Sequence, residues 1–182
     1  MQSLQVLLAV FMGLLFTRAS PTPQAPENAI FESSSSEANI TARQAPETLD
    51  WDWYPIVFGG GVPVGGNAHL TIASDGTYTF SGHFHVSGAP SYNTALVWAV
   101  KDSQNIMYTF EDTGRVHGTF EPGSRDHDWV KTGHSDDIQH RWQYISAGWS
   151  QQAQANVNIS LGFLIDAIKG AFGIVASVIA IV

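Results

Sequence analysis

Residues 67–87 read NAHLTIASDGTYTFSGHFHVS and decide the fold of the chain. Polar and apolar residues alternate on both sides of Ser74-Asp75-Gly76, a pattern that predicts two half-buried β-strands joined by a turn. Only a three-residue loop, with Gly76 in the left-handed conformation, brings the apolar side chains of both strands onto one face. That predicted face carries Leu70, Ile72, Tyr78, Phe80 and Phe84.

Further short strands are predicted along the chain, without helices between them. They cover residues 94–101, which are apolar on both faces and therefore central, and residues 105–111, 115–120 and 139–146. Residues 121–137 are predicted to form a long acidic loop, which is either functional or a solvated crossover. We expect an all-β fold, an antiparallel sandwich or barrel of about 6–8 strands, with a C-terminal apolar α-helix. The β-rich domain is predicted to span residues 51–155.

The N-terminal segment has the features of a secretory signal peptide. A 13-residue stretch, Leu4–Phe16, is almost entirely apolar, and the small residues Thr17 and Ala19 favour cleavage after residue 19. Residues 20–50 are rich in Pro, Ser and Glu, which predicts a disordered leader with a glycosylation site at Asn39. The sequence therefore predicts a secreted, extracellular protein.

Composition restricts the possible partners of the protein. The chain has 16 Asp and Glu against 8 Lys and Arg, with a formal net charge of −8. An acidic surface repels phosphate backbones, which argues against nucleic acid as a partner. The sequence contains no Cys, which excludes disulfides, thiol catalysis and Cys-ligated metal centres.

The C-terminal segment, residues 156–182, is predicted to form a hydrophobic helix. Residues 161–182 read LGFLIDAIKGAFGIVASVIAIV, and such a helix is either buried or in lipid. Four alternatives follow: packing on the β-domain, membrane insertion or self-association, removal as a lipid-anchor signal, and a conventional membrane span. The charges of Asp166 and Lys169 disfavour the last two. The residues expected to contact a membrane or partner are Phe163, Ile168, Phe172 and Val175. Asn158 begins a second glycosylation sequon beside this segment.

Histidines supply the candidate metal ligands. The pair His83-x-His85 lies on the polar face of its strand, and with His117 from a neighbouring strand it predicts a site for a divalent transition metal. The order of glycines and histidines is similar to that of cupins, although the Glu that usually follows the His pair is missing. The residues that carry this similarity are Gly76, His83-Phe84-His85, Gly118, Pro122-Gly123 and His127.

Three functions are open at this point, and no catalytic residue or cofactor is assigned. The first is a non-enzymatic secreted effector or defence protein that acts on other cells or their membranes, as an antimicrobial protein does, through the C-terminal helix. The second is a secreted metal-binding β-barrel enzyme that uses the histidines. The third is a sugar-binding module, because aromatic rings at domain edges stack on sugars. Those rings are Trp51, Trp53, Trp129, Trp142 and Trp149.

Overall fold

Two four-stranded sheets form the protein in a computed structural model that describes residues 47–173 and 177–182. Sheet A has the strand order β1-β2-β3-β6 and sheet B has the order β7-β4-β5-β8. The elements are β1 (Thr48–Val57), β2 (Val64–Ala73), β3 (Thr77–Val86), β4 (Tyr92–Lys101), β5 (Ile106–Val116), β6 (Asp126–His134), α1 (Asp136–Ala147), β7 (Ser150–Val157), α2 (Leu161–Phe172) and β8 (Ser177–Ala180).

The N-terminal predictions mostly lie outside the described residues. This holds for the signal peptide of residues 1–19, for residues 20–46 of the predicted leader and for Asn39. Strand β1 begins at Thr48, which is three residues before the predicted start of the β-rich domain at residue 51. The reason is pairing with a distant segment, because Thr48 and Leu49 lie opposite Ala73 and Ile72 of β2.

The β2–β3 hairpin has the predicted register. Leu70 lies opposite Phe80 and Ile72 lies opposite Tyr78, while Gly76 has a φ of 85° in the loop. The apolar face of the hairpin is directed into the core, where Leu70, Ile72, Phe80 and Phe84 have no exposed surface. The polar face, with its histidines, is consequently on the outside of sheet A.

One hydrophobic core lies between the two sheets. Its largest buried side chains come from both of them, with Phe80 and Phe84 from sheet A and Trp98, Tyr108 and Phe110 from sheet B. Each buried aromatic side chain removes roughly 150–250 Å² from water. Such a core is the expected source of stability in a chain without cysteine.

The C-terminal region differs from the predicted continuous helix of residues 156–182. Residues 150–157 form β7, the helix α2 ends at Phe172, and Ser177–Ala180 form β8. Strand β8 runs parallel to β5, whereas the other strand pairs are antiparallel. The helix breaks at Gly173, which has a φ of 81°. The segment therefore completes the β-domain instead of extending beyond it.

Helix α2 packs on the outer face of sheet B. Leu164 and Ile168 are buried against Ala95, Val97 and Ala99 of β4. The prediction of a central strand at residues 94–101 is confirmed, because β4 lies between β7 and β5. Its second apolar face is covered by the helix, which corresponds to the packed alternative for the C-terminal segment.

Helix α1 replaces the strand predicted at residues 139–146. Ser135 caps its N-terminus by accepting a hydrogen bond from the Ile138 amide at 3.3 Å, and Asp136 and Asp137 occupy the first turn. Acidic residues there are favoured by the helix dipole. Ile138, Trp142 and Ile145 are buried along one side, a spacing of four and three residues that indicates a helix.

A buried ion pair fixes α1 to the β4–β5 hairpin. The Arg141 guanidinium donates to Asp102 at 2.8 Å, and the Tyr108 hydroxyl donates to the same carboxylate at 3.0 Å. Burial opposes the charged form of Asp102, but hydrogen bonds from Arg141, the Ile106 amide and Tyr108 outweigh it and hold its pKa below the ordinary value. Burial also raises the pKa of Tyr108. The Arg141–Asp102 ion pair therefore attaches helix α1 to the β4–β5 hairpin of sheet B.

The predicted loop of residues 121–137 contains strand β6. Asp126–His134 pairs with β3 along its whole length and forms an edge of sheet A. Only Trp129 is buried in this strand, so its alternating pattern has a single apolar residue on the inner face. Polar residues on both faces made this strand look like a loop in the sequence.

Candidate functional site

The outer face of sheet A carries histidines on its two inner strands and aspartates on its two edge strands. We call this surface the His–Asp face. Its members are Asp50, Asp52, His69, His83, His85, Asp126 and Asp128. The strand register places each histidine directly opposite an aspartate: His69 faces Asp52, His83 faces Asp128 and His85 faces Asp126. Cross-strand neighbours of this kind interact directly.

Within this face, His83, His85 and Asp126 have ligand-capable atoms that all lie within 4.8 Å of one another. The Nδ1 atom of His85 is 2.6 Å from Oδ1 of Asp126, and the Nε2 atom of His83 is 3.6 Å from the same oxygen. The two imidazole rings are stacked, with an angle of 14° between their planes. The hydrogen bond from His85 lowers the pKa of Asp126, which keeps this carboxylate charged.

Asp128 orients the imidazole ring of His83. Its Oδ1 atom lies 2.7 Å from Nδ1 of His83, so the ring nitrogen that faces Asp126 is Nε2. A carboxylate on the far nitrogen of an imidazole is the usual partner of a metal-ligating histidine. The arrangement therefore provides two imidazoles and one carboxylate, with a second carboxylate behind His83.

The third predicted ligand, His117, lies elsewhere. It follows β5 in sheet B, its Nδ1 atom is 3.4 Å from Glu121, and its ring lies against Gly123. His117 is not among the described residues whose ligand atoms converge with those of the pair on β3. Asp126 takes the third position. The sequence did contain a signal for it, because Asp126-x-Asp128 has the same alternation as His83-x-His85.

The remaining histidines of the sequence pattern have separate partners. His69 is diagonal to His83 on the sheet, as the register predicted, but its two nitrogens contact Asp52 at 2.9 Å and Asp50 at 3.1 Å. His127 of the cupin-like pattern points inward and lies 2.7 Å from Asp112, which is almost fully buried. That pair connects β6 to β5 and thereby the two sheets. Neither histidine belongs to the metal-capable group.

A cleft of about 500 Å³ lies beside His83 and His85. Its opposite wall is apolar and comes from the end of β1, where a β-bulge interrupts the pairing between Trp53 and Ile56. Tyr54 and Val57 of this wall are 80% and 76% exposed. The apolar residues of the cleft are Tyr54, Pro55, Ile56, Val57, Pro63 and Val64.

Two glycines of β2 form part of the cleft between these walls. A Cβ atom at Gly66 would overlap the carbonyl of His83, so close strand packing requires glycine there. A Cβ atom at Gly65 would meet only the Ile56 carbonyl oxygen, at an ordinary distance of 3.4 Å. Gly65 lies opposite His85, so the lack of a side chain at this position leaves space beside the histidine.

A second, smaller groove of about 320 Å³ lies between the edge strands β1 and β7. It is lined by Trp53, Trp98, Gln151 and Gln152, together with Asp52 and Ala153. The indole N–H of Trp98 is buried and has no hydrogen-bond partner among the described residues. Of the other tryptophans, Trp51 and Trp149 pack edge to face at 5.1 Å, and Trp129 and Trp142 are largely buried in the core.

Of the residues predicted to contact a membrane or partner, the structure leaves some exposed and buries others. Phe163 is 61% exposed, but Ile168 is fully buried against sheet B and is removed from any such surface. Phe172 packs beside Lys101, whose ammonium lies 5.4 Å from its ring. Val175 lies outside the described residues. Neither helix in residues 47–173 and 177–182 has the length and apolar character needed to cross a bilayer.

The second predicted glycosylation residue, Asn158, is exposed in the turn between β7 and α2. It has a φ of 57°, and its Oδ1 atom accepts a hydrogen bond from the Asn93 amide at 3.1 Å. The Asn158 side chain therefore helps to hold this turn on β4.

Comparisons with family models, with curated proteins and with solved structures found no match for this chain. The functional argument therefore depends on the geometry alone.

Proposed function

We propose that this protein is exported and binds a divalent transition-metal ion on its outer surface, at His83, His85 and Asp126. The observation that carries the proposal is the convergence of two imidazoles and one carboxylate within 4.8 Å on two paired strands. Imidazole suits zinc, copper, nickel and iron, and a carboxylate adds charge compensation. This proposal keeps the metal-binding function expected from the histidines and replaces His117 by Asp126.

The two histidine–aspartate distances within the group are close to those of an occupied site. With zinc–ligand bonds of about 2.0–2.2 Å, the ligand atoms of a tetrahedral site lie roughly 3.3 Å apart. His83 is 3.6 Å from Asp126, and the contact of 2.6 Å between His85 and Asp126 has to open by less than 1 Å. The three side chains are 35–47% exposed, so such a movement meets little packing resistance. Small rotamer changes are therefore enough to bring the Asp126 carboxylate to a suitable distance from both imidazoles.

Three protein ligands leave coordination positions free. Structural zinc sites are closed by four protein ligands, whereas sites that engage other molecules keep an open position. Here the three side chains are partly exposed and two of them, His83 and His85, line the neighbouring cleft, so an ion held by them would be accessible from solvent and from the cleft. We therefore describe the site as a binding centre on the protein surface rather than as a structural metal site.

Isothermal titration of the full chain with Zn²⁺ tests this proposal. His85→Ala removes a ligand and is expected to weaken binding more than Asp128→Asn, which removes only the carboxylate behind His83. Loss of such an outer carboxylate typically costs about 10–100-fold in affinity. The matched control is His134→Ala, because His134 is also an exposed histidine next to an aspartate but lies outside the group. Zinc binding that survives His85→Ala unchanged would refute the site.

The groove between β1 and β7 supports a second candidate function, the binding of a sugar. Aromatic rings and side-chain amides together are suited to the apolar faces and hydroxyl groups of saccharides, and the groove combines Trp53 with Gln151 and Gln152. Probing a glycan array with the full chain tests this function. Gln152→Ala should remove the signal, while Gln154→Ala, on the same strand but outside the groove, should keep it.

The action on membranes through the C-terminal helix stays a prediction. In the folded domain Phe163 of helix α2 is exposed, whereas Leu164 and Ile168 are buried against sheet B. Membrane action is tested by measuring dye release from anionic liposomes with the wild type and with Phe163→Ser, which removes the exposed aromatic ring. Release that is absent from the wild type, or unchanged in the variant, would contradict membrane action through this helix.

A further inference from the structure

The metal-capable group and the apolar cleft are adjacent, and their combination defines a class of ligand. His83 and His85 belong to both, since they are two of the three metal ligands and also form one wall of the cleft. The cleft volume of about 500 Å³ is in the range of small-molecule sites, roughly 300–1,000 Å³. A ligand in this cleft would therefore touch the metal and the apolar wall at the same time.

We infer that the cleft binds a small aromatic chelator, that is, a flat apolar body with two neighbouring oxygen donors, of the catechol or hydroxamate type. This inference rests on the proposed metal site. The two oxygens would fill the open coordination positions of the ion. The aromatic body would lie between the histidines and the wall formed by Tyr54, Pro55 and Val57.

The exposed apolar residues of the wall support a ligand with an apolar body. Tyr54 and Val57 are among the most exposed large hydrophobic side chains of the described residues, at 80% and 76%. They lie together on one side of the cleft, and Pro63 extends the same surface. Covering such side chains with an aromatic ring is favourable by about 25 cal/mol for each Å² removed from water.

The incomplete coordination of the proposed metal ion is the reason that we expect oxygen donors on the ligand. Two nitrogens and one carboxylate oxygen leave a divalent ion short of its usual four to six ligands. Besides its histidines, the cleft lining offers Asn67 and Ser87 as polar side chains, and a neutral amide or hydroxyl is not among the usual protein ligands of zinc. The missing donors therefore have to come from the ligand or from water, and a chelator supplies two at once.

The absence of a side chain at Gly65 allows a clean test. A leucine at this position fits the backbone, because its Cβ atom meets only the Ile56 carbonyl oxygen at 3.4 Å. Its side chain would occupy the cleft beside His85 without replacing a metal ligand. Gly170→Leu is the matched control, since Gly170 lies on α2, far along the chain, with no atom within 4 Å of its Cβ position.

The experiment uses zinc-loaded full-length protein and 4-nitrocatechol, whose absorption spectrum changes when it coordinates a metal. We expect binding to the wild type and to Gly170→Leu, and at least about tenfold weaker binding to Gly65→Leu, whose cleft is filled. Zinc affinity, measured by calorimetry, should stay within about twofold in both variants, because the ligands are unchanged. Nitrophenol, which has a single oxygen donor besides its nitro group, should bind more weakly than nitrocatechol.

The outcomes separate this inference from the function on which it rests. If zinc binds but nitrocatechol does not, or binds Gly65→Leu as tightly as the wild type, the inference is overturned and the metal site stands. If calorimetry detects no zinc binding, the metal site and the chelator site are both rejected.

Discussion

The outer faces of the two sheets show two different uses of the same strand alternation. On sheet A the outward positions carry histidines and aspartates, and they form the exposed His–Asp face. On sheet B the outward positions of β4 are Ala95, Val97 and Ala99, and helix α2 covers them. The turn between β4 and β5 of sheet B also holds a buried carboxylate, Asp102, which pairs with Arg141. Sheet A thus presents polar chemistry to solvent, whereas sheet B uses apolar contacts and a buried ion pair for stability.

The largest effect is expected from the buried ion pair of sheet B. Arg141→Ala leaves the Asp102 carboxylate buried without its cationic partner, which should lower the free energy of unfolding by about 3–5 kcal/mol. Urea denaturation measures this change. Arg115→Ala is the control, because its ion pair with Glu121 is about half exposed on both sides and should contribute roughly 0–1 kcal/mol. Equal losses in the two variants would contradict the contrast between buried and exposed charge.

Removing the helix contact should have the next largest effect. Ile168→Ala creates a cavity between α2 and sheet B and should cost about 2–5 kcal/mol. Phe163→Ala, on the exposed side of the same helix, should change stability by only about 0.5 kcal/mol. The thermal midpoints of the two variants give the comparison. A small effect of Ile168→Ala would mean that α2 is not a required cover for sheet B.

Acid should weaken sheet B through Asp102. Its pKa in the folded protein is below the ordinary value of 3.8, so the folded state binds this proton less readily than the unfolded chain. The resulting stability is fully present above the ordinary pKa and is lost as the pH falls through the lower pKa of the folded state. Urea denaturation between pH 6 and pH 2.5, in the wild type and in Asp102→Asn, should show a flatter decline in the variant. Parallel curves would contradict this role of Asp102.

The smallest effect on stability is expected from a substitution on the His–Asp face. His69→Ala removes contacts to Asp50 and Asp52, but all three side chains are at least one-third exposed. Exposed ion pairs contribute about 0–1 kcal/mol, so stability should change within that range. A loss as large as that of Ile168→Ala would show that the His–Asp face has a structural role, and the comparison between the sheets would fail.

Sequence alone predicted the parts of the fold in which at least one face of a strand is apolar. The hairpin of residues 67–87 was predicted with its register, because only one pairing buries Phe80 and Phe84 together with Leu70 and Ile72. The central position of β4 followed from its two apolar faces. Local pattern was sufficient in both cases.

Elements that depend on distant partners were not predicted. Strand β6 has one buried residue, Trp129, and it is defined by its pairing with β3, more than 40 residues earlier in the chain. Strand β8 lies in a continuous apolar segment that gives no sign of a break except Gly173.

Helix α1 was missed for a different reason, because its local signal was overlooked: Ser135, Asp136 and Asp137 form a helix start.

The same limit applies to the candidate site. His83 and His85 were identified from their spacing on one strand, which is a local feature. The third member of the group required knowledge of which strand pairs with β3, and His117 was predicted in place of Asp126 because the order of strands in a sheet is not encoded locally. A search for matching alternations, such as Asp126-x-Asp128, would have suggested the correct strand.

The order of the strands along the chain also determines when each sheet can be completed during synthesis. All four strands of sheet A have been translated by residue 134, whereas both edge strands of sheet B, β7 and β8, are translated after residue 149. At about 5–20 residues per second, residues 135–182 take roughly 2–10 s to emerge. During this interval a nascent chain has every strand of sheet A but only the β4–β5 hairpin to cover its apolar side. The apolar inner face of sheet A therefore remains incompletely covered until β7 and β8 have been added.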